Sequence, residues 1–119
     1  MDEYFDNFLI LDKFNVSRET FSTLNEFREK IIEKNNEINL ISTKSASNSM
    51  NRHIIDCAQV IDLIDINSKI CTDIGSGAGL PGIVLSILIR DKKIDMKMNL
   101  YEKSYRKSSF LRSVSKEFK

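Results

Sequence analysis

Residues 73–82 read Asp-Ile-Gly-Ser-Gly-Ala-Gly-Leu-Pro-Gly, and they hold all four glycines and the single proline of this chain. The run before them, Ile70-Cys71-Thr72-Asp73-Ile74, is short, apolar and β-branched, which predicts a strand. The run after them, Ile83-Val84-Leu85-Ser86-Ile87-Leu88-Ile89, is apolar at helical length. Strand, glycine turn and helix follow in that order. Glycine tolerates positive φ and carries no Cβ, so such a turn is expected to let backbone N–H groups close around a ligand at the helix start. Three alternating glycines cost backbone entropy and offer no side chain to pack, so a mere connection is the weaker explanation of the cluster.

The spacing narrows the ligand. Dinucleotide-binding turns read G-x-G-x-x-G and seat a pyrophosphate on the helix N-terminus. Here the order is D-x-G-x-G-x-G, through Asp73, Gly75, Gly77 and Gly79. A carboxylate at Asp73 repels pyrophosphate and welcomes a cation. S-adenosylmethionine carries an ammonium and a sulfonium and no phosphate, so it fits better than the nicotinamide cofactor of a dehydrogenase. A second strand is expected within Ile94–Glu102, where apolar and polar side chains alternate. It ends on Glu102. In doubly wound sheets an acid at that point accepts hydrogen bonds from ribose hydroxyls; by itself it reads equally as a solvated charge beside Lys103.

The N-terminal half reads as helices. Phe5, Phe8 and Leu9 recur at helical spacing, and Ser17 offers a cap for a helix whose stripe is Phe21, Leu24, Phe27, Ile31 and Ile32. Ile38, Leu40 and Ile41 are too few for a long element, and a polar tract follows at Ser42–Ser49. A further helix is expected from about Met50 through Ile54, Cys57, Ala58, Ile61 and Ile64 to the turn at Asn67-Ser68. The last begins at Ser104, with Phe110, Leu111, Val114 and Phe118 on one face. The expected class is α/β, with a helical cap over residues 1–66 and a β-α-β-α cofactor-binding unit over 67–119, in one partial domain.

Charge is unevenly spread. Residues 1–89 carry 8 Lys/Arg against 13 Asp/Glu, and residues 90–119 carry 10 against 4. The basic end, including Lys103, Arg106, Lys107 and Arg112, is the footprint expected for phosphate backbones, or simply a solvated helix face. Arg52, His53 and Asp56 open the third helix at spacings where they can neighbour one another; from spacing alone they read as a local ion-pair cluster. Two cysteines and one histidine give no basis for a zinc site, and the thiols are expected to be buried and free in a cytoplasmic protein. The acidic N-terminus lacks the form of a secretion signal, and no apolar run reaches the length of a membrane span.

Four stretches together, Asn39-Leu40, Arg52-His53-Ile54-Ile55-Asp56, Asp73–Gly82 and Lys107-Ser108-Ser109-Phe110-Leu111-Arg112, resemble the RsmG (GidB) family in order and spacing. The resemblance implies a Rossmann-like methyltransferase fold and transfer of a methyl from S-adenosylmethionine to guanine N7 of 16S ribosomal RNA in the small subunit. It implies cofactor contacts at Gly75 and Leu80, with Asp73, Gly77, Gly79 and Glu102 around them. It moves Arg52, His53 and Asp56 to the active-site side, as substrate-side residues with no proton-transfer role. It implies a cytoplasmic, monomeric enzyme, with no metal, whose RNA contacts include the basic end. Cys57 stands where a small hydroxyl residue is usual, and Tyr101-Glu102-Lys103 replaces Leu-Asp-Ser. Family members continue beyond the second strand. The expectation is therefore a chain truncated at its C-terminus; the alternatives are a non-catalytic RNA- or cofactor-binding fragment and one half of a split methyltransferase.

Overall fold

The computed structural model describes residues 16–40 and 50–118. The expected helix around Phe5–Leu9 and the serine tract lie outside the described residues. Helix α1 spans Arg18–Lys34 and α2 spans Met50–Gln59; β1 is Ile70–Ile74, α3 Gly82–Asp91, β2 Lys97–Tyr101 and α4 Tyr105–Glu117.

Local chemistry explains α1. Ser17 Oγ accepts the Thr20 N–H at 3.1 Å, with Glu19 in the first turn and Lys34 in the last, both favourable to the helix dipole. The stripe buries Phe21, Leu24, Phe27 and Ile31. A long-range tie adds to the cap. Asp91, at the C-terminus of α3, accepts from the Ser17 hydroxyl at 3.1 Å and from the Thr20 hydroxyl.

Helix α2 stops sooner than its apolar pattern suggests. The chain tightens into a 3-10 turn over Val60–Leu63. The buried positions follow the tightening, because Ile54 to Ala58 is a step of four and Ala58 to Ile61 a step of three. Leu63 is left 84% exposed.

Helix α3 is the hub. Ile83, Val84, Leu85, Ile87, Leu88 and Ile89 are all buried, which requires partners around its circumference. It packs against α1, α2 and β2, and Phe110, Leu111 and Val114 of α4 join the same core.

The sheet has two parallel strands, with Ile70 opposite Lys97 and Ile74 opposite Tyr101. Cys71, Asp73, Met98 and Leu100 face the helices. On the other side Ile70 is 59% exposed, Ile74 83% and Tyr101 60%. Parallel sheets are normally covered on both faces, and among the described residues this one is covered on one. The second strand begins three residues later than the alternation predicts. Lys93 takes φ +56, and the Ile94 N–H turns back to the Ile89 carbonyl at 3.0 Å. Pairing with β1 starts only where the chain comes level with Ile70.

The Asp91 tie has a pH signature. Burial alone would push its carboxyl up, but the hydrogen bonds from Thr20 and Ser17 hold it below the usual range. A carboxyl whose folded value is depressed contributes stability above its unfolded value of about 4, lost as pH falls through the folded value. Urea melts between pH 3 and 7 are expected to show Asp91→Asn less stable at neutral pH, with a flatter acid limb than the wild type.

Candidate functional site

The glycine turn is bolted to the tip of β2. The N–H groups of Gly75 and Ser76 both donate to the Tyr101 carbonyl, at 2.8 and 3.0 Å, and the Gly77 N–H donates to Glu102 Oε1 at 2.8 Å. Gly79 N–H reaches the Ser76 carbonyl at 2.8 Å, and Gly82 N–H reaches Asp73 Oδ2 at 3.0 Å. These five N–H groups are therefore spent inside the protein. The expectation of a ring of N–H donors closing on a ligand does not hold for them, because the last residue of β2 and the one after it take three of these donors, and Ser76 and Asp73 take the other two. Ser76 was passed over in the sequence. It is 1% exposed, and its hydroxyl donates to the Asp73 carbonyl at 3.0 Å, closing the turn from below.

What the turn offers instead is bare Cα surface. Gly75, Gly77 and Gly79 sit at φ +73, +57 and +91, in the region that favours glycine. A Cβ added at Gly75 would meet nothing within 4 Å, and one at Gly77 only the Gly75 carbonyl at 4.0 Å. These two glycines border open space. At Gly79 a Cβ would lie 2.5 Å from Ile83 Cγ1 and 3.1 Å from Leu111 Cδ2. At Gly82 it would lie 2.5 Å from Asp73 Oδ2 and would collide with Leu100. The idea that the glycines bring no packing return is thus corrected for Gly79, whose missing side chain lets α4 close on the turn. Gly82 likewise lets α3 start against the strand ends. Leu80 is half-buried against the core beside them.

Glu102 borders this shelf, Asp73 lies at the end of the strand leading into it, and a third carboxylate lies on the helix before that strand. Asp73 commits one oxygen to Gly82; its other oxygen accepts nothing among the described residues. Glu102 takes the Ser104 N–H on Oε2 at 2.8 Å and the Gly77 N–H on Oε1. Those two N–H groups, then the nearby Lys107, hold its carboxyl below the usual range. Each oxygen keeps a further lone pair for a hydroxyl donor. The third is Asp56 on α2. Burial, followed by the charges of Asp56 and Asp73, pushes the Cys57 thiol up to about 11. Asp56 is the chain neighbour of Cys57, so it is the effect of Asp73 that shows α2 passing close to the end of β1. His53 and Asp56 are exposed. Arg52 lies on α2, and its side chain is outside the described residues.

The basic residues do not form one patch. Lys103 and Arg106 are exposed, whereas Lys107 is half-buried beside Glu102. Arg106 lines a groove of about 690 Å³ between α1 and α4, together with Tyr105, Lys30 and Lys34. Arg112 lines a different groove, of about 910 Å³, between α3, β2 and α4. Neither groove contains Gly75 or Gly77. Among the described residues no group of His, Cys, Asp and Glu could hold a metal ion, and no helix is long and apolar enough to cross a membrane.

The model of the GidB family, described as rRNA small subunit methyltransferase G, matches residues 20–119. Three similar proteins carry the name ribosomal RNA small subunit methyltransferase G. That of Pelagibacter ubique is 49% identical over 121 residues, covering 100% of this chain and 57% of the relative. That of Ruegeria sp. (strain TM1040) is 42% identical, covering 88% of this chain and 51% of the relative. That of Orientia tsutsugamushi is 40% identical, covering 86% and 49%. The chain spans about half the length of the curated relatives it matches. No solved structure matches. The two-stranded parallel sheet, with its glycine turn and covering helices, is part of a Rossmann-like methyltransferase fold, and the chain belongs to the GidB family.

Proposed function

We propose that this chain forms the S-adenosylmethionine-binding part of an enzyme that methylates guanine N7 in 16S ribosomal RNA. The observation that carries the reading is the shelf over Gly75 and Gly77, open above bare Cα atoms, with Glu102 at its edge, Asp73 at the strand end before it, and the neighbouring N–H donors already used. A pyrophosphate needs those donors. A cationic, phosphate-free ligand does not. Asp73, with Asp56 behind it, supplies negative potential for an ammonium and a sulfonium. Glu102 offers lone pairs to ribose hydroxyls, and Gly75, Gly77 and Leu80 supply the surface on which the ligand lies; Gly79 keeps the turn in shape.

When bound, the sulfonium supplies an electrophilic methyl: the N7 lone pair forms the C–N bond as the C–S bond breaks, leaving a neutral thioether and a positive guanine. N7 carries no proton, so the chain needs no general base. Its residues orient and bind. Holding donor and acceptor in line can supply about 7–11 kcal/mol, and the carboxylate field tolerates the charge that moves to the base. Arg52, His53 and Asp56 are assigned to the substrate side, and Lys103, Arg106, Lys107 and Arg112 to phosphates of the RNA. In this reading residues 1–66 are the cap and 67–119 the cofactor unit of a cytoplasmic, monomeric enzyme acting on the small subunit or its RNA.

A second reading is a binding fragment or one half of a split enzyme. One observation favours it: the uncovered face bearing Ile70, Ile74 and Tyr101. Labelled methyl transfer to small-subunit RNA lacking the modification separates the two. Transfer by the 119-residue chain alone supports the enzyme; transfer only when the C-terminal half of a relative is co-expressed supports the split form.

The cofactor assignment is tested by calorimetry with S-adenosylhomocysteine. Gly75→Val is expected to remove binding while the chain stays folded, at a strain of about 1–2 kcal/mol for the left-handed backbone. Gly79→Val is expected to lower the melting temperature much further, because its side chain strikes Ile83 and Leu111. Undiminished binding in folded Gly75→Val overturns the assignment.

A further inference from the structure

Tyr105 is 80% exposed, the first residue of α4, and stands outside the core although a tyrosine ring has a large area to bury. Its backbone is nevertheless fixed. Ser104 caps the helix, and the Ser104 N–H is held by Glu102 Oε2 at 2.8 Å, so the ring rises from a segment tied to the glycine turn. Of the cations that share its groove, Lys30 pairs with Glu117 at 3.0 Å and Lys34 with Glu37 at 2.7 Å, whereas Arg106 pairs with no carboxylate among the described residues; nor does Lys103, two residues before the ring in the chain and exposed. An unpacked aromatic ring in a chain segment that also carries two exposed, unpaired cations suits a ligand that is both planar and anionic.

We propose that Tyr105 is a stacking platform for an unpaired RNA base, with Lys103 and Arg106 holding the phosphates on either side of it. This rests on the reading above that the partner is RNA. Single-stranded RNA offers a π-face and a backbone charge at each nucleotide, which is the combination these three side chains present. Glu102, three residues earlier, belongs to the ribose side of the shelf in that reading. The stacked base is therefore a neighbour of the reacting guanine and not the guanine itself. Tyr105 is a specificity and positioning residue.

The test uses fluorescence anisotropy of the 119-residue chain with a labelled, unstructured RNA from the small subunit and with its duplex. Tyr105→Ala is expected to weaken single-strand binding roughly five- to hundredfold, the range of one base–aromatic stack, while Tyr105→Phe, which keeps the ring, binds like wild type. Duplex binding, which has no free base to stack, is expected to change little. Converting Lys103 and Arg106 to Gln should flatten the salt slope by about 1.4, since each single-strand phosphate contact contributes about 0.7. S-adenosylhomocysteine binding should be the same in all variants. Tyr105→Ala that binds single strands like wild type, or loses duplex affinity equally, overturns the proposal. So does competition by polyglutamate equal to that by single-stranded RNA, which would mark an acidic-peptide surface. A wild-type chain that binds S-adenosylhomocysteine and no RNA also overturns it, and leaves the cofactor assignment standing.

Discussion

Three consecutive N–H groups, of Gly75, Ser76 and Gly77, end on two acceptors at the tip of β2, the Tyr101 carbonyl and the Glu102 carboxylate. Much else hangs on this joint. It fixes the turn at the end of β1 and brings the acid of the second strand beside the first. Through the other oxygen of Glu102 it also sets the start of α4. The turn is held by the protein alone, so a ligand has little to order when it arrives, and the entropy usually lost in closing a flexible loop is small.

The four glycines divide into two mechanical classes. Gly79 and Gly82 let α4 and α3 approach, whereas Gly75 and Gly77 face nothing. Bare glycine backbone that borders open space is where a ligand can approach the main chain closely. The Glu102 carboxylate stands beside the bare pair, on the Gly77 N–H. A field of that sign around an opening too poor in donors for phosphate defines the ligand by exclusion as much as by attraction.

Much of this was legible in the residues, for local reasons. The Ser17 cap and the stripe from Phe21 to Ile31 are encoded within α1, and the β-branched run at Ile70–Ile74 announces its strand. The start of β2 was not legible, because Ile94 and Met96 alternate like a strand and only the position of Ile70 decides where pairing begins. The roles of Gly79 and Gly82 were hidden too, since the atoms that need their space, on Leu111 and Leu100, come from elements far along the chain. The internal use of the N–H groups depends on a main-chain carbonyl, which side-chain identity does not reveal. Nor does charge content reveal that Arg112 and Arg106 line different grooves.

Cys57 has a chemical consequence. With its thiol raised to about 11 by burial and by Asp56 and Asp73, only about one molecule in 10⁴ carries the thiolate at neutral pH, and the thiolate is the reactive form. Burial does most of this, and the charges of Asp56 and Asp73 add to it, so Cys57 is held as the unreactive thiol by its place between the helix and the strand end rather than by any partner of its own.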